Sequence, residues 1–274
     1  MYPFVDLIKS DAIVGMLTKV SCGMNNLIRI IQFSTFQFLL KHKRTRLGSL
    51  WIIITPAVFI FFIGFLYSGI AGLNLNVFIP HMTIGYVGWT LLGGFVQSSS
   101  TVVVRHQGFV SQAGASMENI ATMEMTSIFL QFFHQAILVF IILMHFKVEQ
   151  DWYSFVSILG VFLAAINGRS AIIVLGTICV RYRDMQEAVG SIVRIAFLAT
   201  PIIWMAGEDG RGGLIGPYTL LNPFYHFLEI IRAPLLGNRV ADISWYIVLT
   251  ITVVGLLLSF YFSRRFRRQI PLWL

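Results

Sequence analysis

Few residues in this chain of 274 have the types or the spacing to do chemistry, and those that do are cationic more often than catalytic. Lys41, Lys43, Arg44 and Arg46 stand in the run Lys41-His42-Lys43-Arg44-Thr45-Arg46. Clustered cations beside an apolar segment can hold phosphate at a headgroup surface, although lipid anchoring and topology account for them too. Arg181-Tyr182-Arg183-Asp184 follows a long apolar run. Its arginines suit a helix C-terminus, and an Arg–Asp pair there would brace a loop. Glu229 and Arg232 lie one turn apart and can pair, between Asn222-Pro223, which reads as a helix cap with Phe224 after it, and Pro234. Arg169 falls inside an apolar run, where an unpaired charge is costly and functional by default, and Arg194 lies nearer an edge, where it can snorkel.

Covalent chemistry finds no support. A P-loop needs a Gly-Lys pair, and none of the five lysines follows a glycine. His134 has no His, Cys or carboxylate three or four residues away, so it reads as a packed residue and no metal site is expected. Paired carboxylates and Ser-Lys pairs are missing from the apolar runs, and the chain is read as having no catalytic residue and no cofactor of its own.

The elements that must position these residues are membrane helices. The chain is 57% apolar and 12% charged, where soluble domains run near 25% charged. Six apolar runs are long enough to cross a bilayer, at about residues 50–72, 84–104, 126–146, 154–180, 188–206 and 243–262. Residues 221–236 form a seventh apolar stretch, but Asn222, Pro223, His226, Glu229, Arg232 and Pro234 suit helical pieces that enter and leave one face. Residues 27–40 read as an interfacial helix. The expected fold is all-α and polytopic, with six transmembrane helices, an N-terminal interfacial helix and re-entrant helices between spans five and six. Residues 1–49 form a cytoplasmic segment, 50–263 the membrane domain and 264–274 a basic tail.

Charge sets the orientation. Seven Lys and Arg precede the first span, Arg264, Arg265, Arg267 and Arg268 follow the last, and Arg105, Arg181 and Arg183 fall in even-numbered loops. Only Lys147, Arg211, Arg232 and Arg239 lie on the other side, which places both termini in the cytoplasm. The net charge of +8 therefore reflects topology and anionic lipid rather than nucleic acid. Cys22 and Cys179 fall on the cytoplasmic side, where a disulfide is not expected. No internal repeat is visible, which argues against an inverted-repeat transporter.

With this topology drawn, several motifs stand in a familiar order. They are Lys43-Arg44-Thr45-Arg46-Leu47-Gly48-Ser49-Leu50-Trp51 before span one and Arg181-Tyr182-Arg183-Asp184 after span four. Thr200-Pro201-Ile202-Ile203-Trp204 follows in span five, then Leu221-Asn222-Pro223 through Arg232-Ala233-Pro234-Leu235-Leu236-Gly237 before span six. The chain from about Leu27 onward resembles the permease subunits of type 2 ABC exporters, most of all the polysaccharide branch that exports O-antigen, capsule or teichoic acid.

The resemblance implies a homodimeric permease in the bacterial inner membrane, served by two copies of an ATP-binding cassette subunit that carries the ATP and Mg. Its cargo would be a lipid-linked polysaccharide. The Arg105–Asn119 connector, with Arg105, His106, Gln107 and Glu118, would couple to that subunit. Arg181, Arg183 and Asp184 would brace it, and Asn222, Pro223, Phe224, Glu229, Arg232 and Pro234 would form an external gate. Lys41, Lys43, Arg44 and Arg46 would meet the lipid pyrophosphate. Rings stack on the C–H faces of sugars, so Phe59, Phe62, Tyr67, Tyr86, Trp89 and Trp204 are the candidate conduit, against a plain packing role. The rival readings are an exporter of drugs or small lipids and, from another class, an oligomeric channel.

Overall fold

The computed structural model describes residues 26–43, 46–71, 74–109, 116–205 and 216–273, which are helical apart from turns and short connectors. Helix α1 (Asn26–Lys43) is followed by α2 (Trp51–Ala71), α3 (Leu75–Ser99), the single turn α4 (Val102–Arg105) and α5 (Met117–His145). Then come α6 (Val156–Arg181), α7 (Met185–Ala199), α8 (Gly216–Thr219), α9 (Pro223–Leu235), α10 (Asp242–Phe266) and α11 (Ile270–Trp273).

Among the described residues four segments are long and apolar enough to cross a membrane: Gly48–Tyr67, Met117–His145, Trp152–Arg181 and Asp242–Phe266. They coincide with predicted spans one, three, four and six. The expected second span differs because it is the centre of the bundle. Helix α3 begins at Leu75 rather than Ile84, its first turn capped by the Asn74 side chain, which accepts from the Asn76 amide at 2.9 Å. It packs against α2, α5, α6, α7 and α9, and Phe78, Met82, Leu91 and Phe95 are almost wholly buried. A helix enclosed by protein can carry His81, Thr83 and Thr90 because neighbouring helices satisfy them, whereas a lipid-facing one cannot.

The expected fifth span also changes. The sequence pattern carries it to residue 206, but α7 stops at Ala199 after about 22 Å, short of the roughly 30 Å hydrocarbon core. Pro201 is the cause. It has no N–H to continue the ladder, and it drives Thr200 into the extended region (φ −91°, ψ 135°). Trp204, expected within the span, stands in the bend that follows.

Close helix approach depends on missing side chains. A Cβ on Gly168 of α6 would fall inside the Phe95 ring of α3, so that ring packs directly on the α6 backbone there. Cross-helix hydrogen bonds add to the packing: Ser34 of α1 to the Met123 carbonyl (2.9 Å), Asn167 of α6 to Thr252 of α10 (2.6 Å), and Thr90 of α3 to Gln135 of α5. Helix α1 thus lies against α5, its buried Ser34 facing inward. The last long helix runs to Phe266, past the expected boundary, and α11 then turns back to pack on α6 with Ile270 buried.

Candidate functional site

Two polar constellations stand at opposite ends of the bundle. The first is built on α9. Pro223 occupies its first turn, where a missing N–H costs nothing, and the Asn222 side chain caps it by accepting from the Phe224 amide at 3.0 Å. Asn222 Nδ2 in turn donates to Thr200 Oγ1 at 2.8 Å, tying the start of α9 to the end of α7. At the other end of α9, the carbonyls of Pro234 and Leu235 accept from Ser154 (3.1 Å) and Gln150 (3.1 Å).

Between these ties sits a buried charge. The Arg232 guanidinium donates to the Pro201 carbonyl at 2.6 Å and to Glu229 Oε2 at 2.8 Å, and lies 3.1 Å from His81 Nε2. Its side chain is only 5% exposed. One arginine therefore joins α3, the break after α7 and α9. The expected Glu229–Arg232 pair is present, and all the gate candidates named from sequence belong to this one assembly. His81, Thr200 and the Pro201 carbonyl complete it and were not anticipated. A histidine beside Pro80 at the edge of an apolar run was the available signal.

The second constellation gathers at the opposite end, where α4 meets the start of α5. Arg105, at the end of α4, donates to Glu124 Oε1 of α5 at 2.7 Å and to Thr101 Oγ1 at 2.7 Å. His106 Nε2 stands 3.4 Å from Glu124 Oε2. Glu124 is buried and was missed; a carboxylate between Met123 and Met125 at the mouth of an apolar run was its mark. Glu118 belongs to the first turn of α5 rather than to a free connector, and accepts from Ser263 of α10 at 2.7 Å. Residues 110–115 of the expected coupling loop lie outside the described residues. Gln107 and Arg183 line a cavity of about 270 Å³ together with Gln186 and Trp273, so the connector, the Arg181–Asp184 segment and the C-terminal helix are neighbours.

Within that segment the local ion pair considered from sequence does not form. Among the described residues the ion pairs are Arg105–Glu124, His106–Glu124 and Arg232–Glu229, and Asp184 belongs to none. Arg181 instead stacks over the Trp273 ring at 5.0 Å and the Tyr182 ring at 5.4 Å. Of the proposed phosphate cluster, Arg44 lies outside the described residues, Lys43 and Arg46 are exposed, and Lys41 borders a polar cavity treated below.

The aromatic candidates divide. Phe59 of α2 contacts Tyr86 of α3 (4.8 Å between ring centres), and Tyr86 contacts Phe197 of α7 (6.4 Å). Phe197 touches Trp89, which touches Phe224 at 5.3 Å. Helices α2 and α7 therefore flank one face of α3. Phe62 points outward at 68% exposure, Tyr67 stacks on Phe78 instead, and the Trp204 indole donates to the Leu198 carbonyl. No group of His, Cys, Asp or Glu among the described residues could hold a metal ion.

A family model for the ABC-2 type transporter matches residues 29–236, from the first turn of α1 to the end of α9. The chain belongs to the ABC-2 type transporter family. No curated protein matches it significantly. As an ABC-2 transporter it is a multi-pass membrane protein, the transport subunit of an ABC exporter that pairs with an ATP-binding subunit. The matched region contains the Arg232 assembly and the Arg105–Glu124 pair.

Proposed function

We propose that this ABC-2 permease moves a lipid-linked polysaccharide, an O-antigen or a related surface glycan, outward across the bacterial inner membrane. It acts as a homodimer with two copies of the ATP-binding cassette subunit, which holds the ATP and Mg. Both termini lie in the cytoplasm, so the Arg105–Glu124 end faces the ATPase and the Arg232 end faces outward.

One observation carries the reading: an aromatic-lined face of α3, flanked by α2 and α7, ends at a helix held shut by one buried arginine. Phe59, Tyr86, Trp89 and Phe197 offer flat rings along that face, and rings stack on sugar C–H faces without fixing them in place. Two such faces opposed in a dimer make a conduit. The re-entrant pair α8 and α9 closes it, and the Arg232 ties hold it closed. Closure of the ATPase dimer pushes on the connector after Arg105, and the Glu124 pair passes the push to α5 and α1. The four sequence motifs shared with polysaccharide exporters support the choice of cargo over drugs or small lipids.

The test is reconstitution of the permease with its ATPase in proteoliposomes containing lipid-linked glycan. Glycan-stimulated hydrolysis and appearance of glycan in the lumen of inside-out vesicles are expected. Hydrolysis stimulated by amphiphilic drugs but not by lipid-linked glycan would move the cargo to the rival class.

A further inference from the structure

A polar cavity of about 430 Å³ opens between α1, α3 and α5 at the Arg105–Glu124 end of the bundle. Three helical stripes meet there. Helix α1 contributes Gln37 and Lys41, one turn apart. Helix α3 contributes Thr90 and, two turns on, Gln97, and α5 contributes Glu124 and, two turns on, Gln131. Arg105 stands at the rim.

Polar side chains on helices of this kind are costly unless they meet water, a partner or a ligand, and here they face one space. The hydroxyl of Thr90 is committed to Gln135, and Glu124 to Arg105 and His106. Gln37, Gln97 and Gln131 are exposed within the niche. Among the described residues Lys41 has no carboxylate within ion-pair distance. Arg105 has five N–H donors, and two go to Glu124 and Thr101. Counting Lys41 and Arg105 against Glu124, the niche carries a surplus positive charge. Its volume lies in the range of small-molecule sites, about 300–1,000 Å³, and is too large for one ion.

We propose that this cavity binds the headgroup of a membrane lipid bearing a phosphate with hydroxyls beside it. Lys41 and the free edge of the Arg105 guanidinium take the phosphate oxygens, with Glu124 as the group that aims Arg105. The amides of Gln37, Gln97 and Gln131 take the hydroxyls, and the lipid tail leaves between α1 and α3 into the bilayer. Placing the headgroup of the cargo here rests on the proposed export of a lipid-linked glycan, and a bulk phospholipid offers the same phosphate chemistry.

The full chain is purified into phosphatidylcholine nanodiscs doped in turn with polyprenyl phosphate, phosphatidylglycerol or phosphate-free polyprenol, and retained lipid is counted by native mass spectrometry. The wild-type chain is expected to retain a phosphate-bearing lipid and not the polyprenol. Lys41→Gln and Gln97→Leu are each expected to weaken that retention at least fivefold, and the pair at least twentyfold. Lys41 is exposed at the end of α1, so its substitution leaves folding intact, and a melting curve of each variant confirms it. Preference for polyprenyl phosphate assigns the site to the cargo, and preference for phosphatidylglycerol assigns it to bulk lipid; both uphold it. Retention unchanged in the double variant, or equal retention of polyprenol, overturns it. No ATPase is present, so loss of this site leaves the exporter reading standing, and failure of glycan export in proteoliposomes leaves this site standing.

Discussion

Arg232 is the most deeply committed charge among the described residues. It is held by Glu229, a carbonyl and an imidazole on three separate elements. Removing one partner from a buried pair costs about 3–5 kcal/mol because the other charge is left unpaired, whereas replacing both by apolar groups of like shape can be nearly neutral. Glu229→Gln is therefore expected to destabilise the protein by about 3 kcal/mol. Glu229→Leu with Arg232→Met should recover much of that loss in denaturant titrations in detergent micelles. If the double variant loses as much as the two singles together, the residues are not acting as a pair. The Arg105–Glu124 pair is different, since the Arg105 side chain is 49% exposed and solvent screens it. A double-mutant cycle with Arg105→Gln and Glu124→Gln should give a coupling energy of only about 1 kcal/mol. The functional effect should be larger: ATP hydrolysis by the assembled complex should continue while export falls, because the pair joins the connector to α5. Proportional loss of both activities would show that the pair is only a structural support.

At the scale of elements, the same contrast separates what the sequence discloses from what it hides. The lengths of the apolar runs locate α2, α5, α6 and α10, because a lipid-facing helix must be apolar along its whole length. The Glu229–Arg232 pair is legible because both residues lie on one helix at a fixed spacing. Glu124 and His81 are not, since their partners come from other helices and no local pattern encodes that meeting. The end of α7 could be read from Thr200-Pro201, yet the run of Ile202, Ile203 and Trp204 favours continuation on hydropathy alone. Glycine contacts are likewise tertiary. Gly168→Ala would drive a methyl into the nearly wholly buried Phe95 ring, which has no free space to turn into, and should cost about 1–3 kcal/mol. Gly94→Ala on α3 meets only Ile128 Cγ2 at 3.7 Å, an ordinary van der Waals contact, and should cost less than half as much. Melting temperatures of the two variants in one detergent provide the comparison, and equal losses would mean that α3 and α6 separate more readily than their packing implies. Asn222→Ala removes both the cap of α9 and its tie to Thr200, and should cost about 1–2 kcal/mol.

For the whole molecule, the decisive matter is which face meets a second copy. Helices α2 and α7 flank the same aromatic face of α3, and each turns large apolar residues away from the protomer: Phe62 and Phe65 on α2, Ile192 and Ile195 on α7. Helix α5 also exposes Phe133, Phe140 and Met144, so exposure by itself does not choose between lipid and partner. The conduit reading does choose, because only a dimer that opposes the α2/α7 faces brings two aromatic surfaces around one axis. A two-fold axis makes the contact self-complementary, so α2 of one protomer meets α7 of the other. Phe59 and Phe197 both contact Tyr86, so the exposed residues next to them, Val58 of α2 and Leu198 of α7, lie at similar depth. Val58→Cys combined with Leu198→Cys should therefore give an oxidant-dependent dimer in native membranes. Phe140→Cys, on the far side of α5, should stay monomeric under the same conditions. The cross-link should also respond to ATP when the ATP-binding subunit is co-expressed, since opening the conduit separates α2 from α7 across the axis. Dimers formed through residue 140, with none through 58 and 198, would turn the aromatic face of α3 toward lipid. That arrangement would leave a glycan no enclosed path along this face.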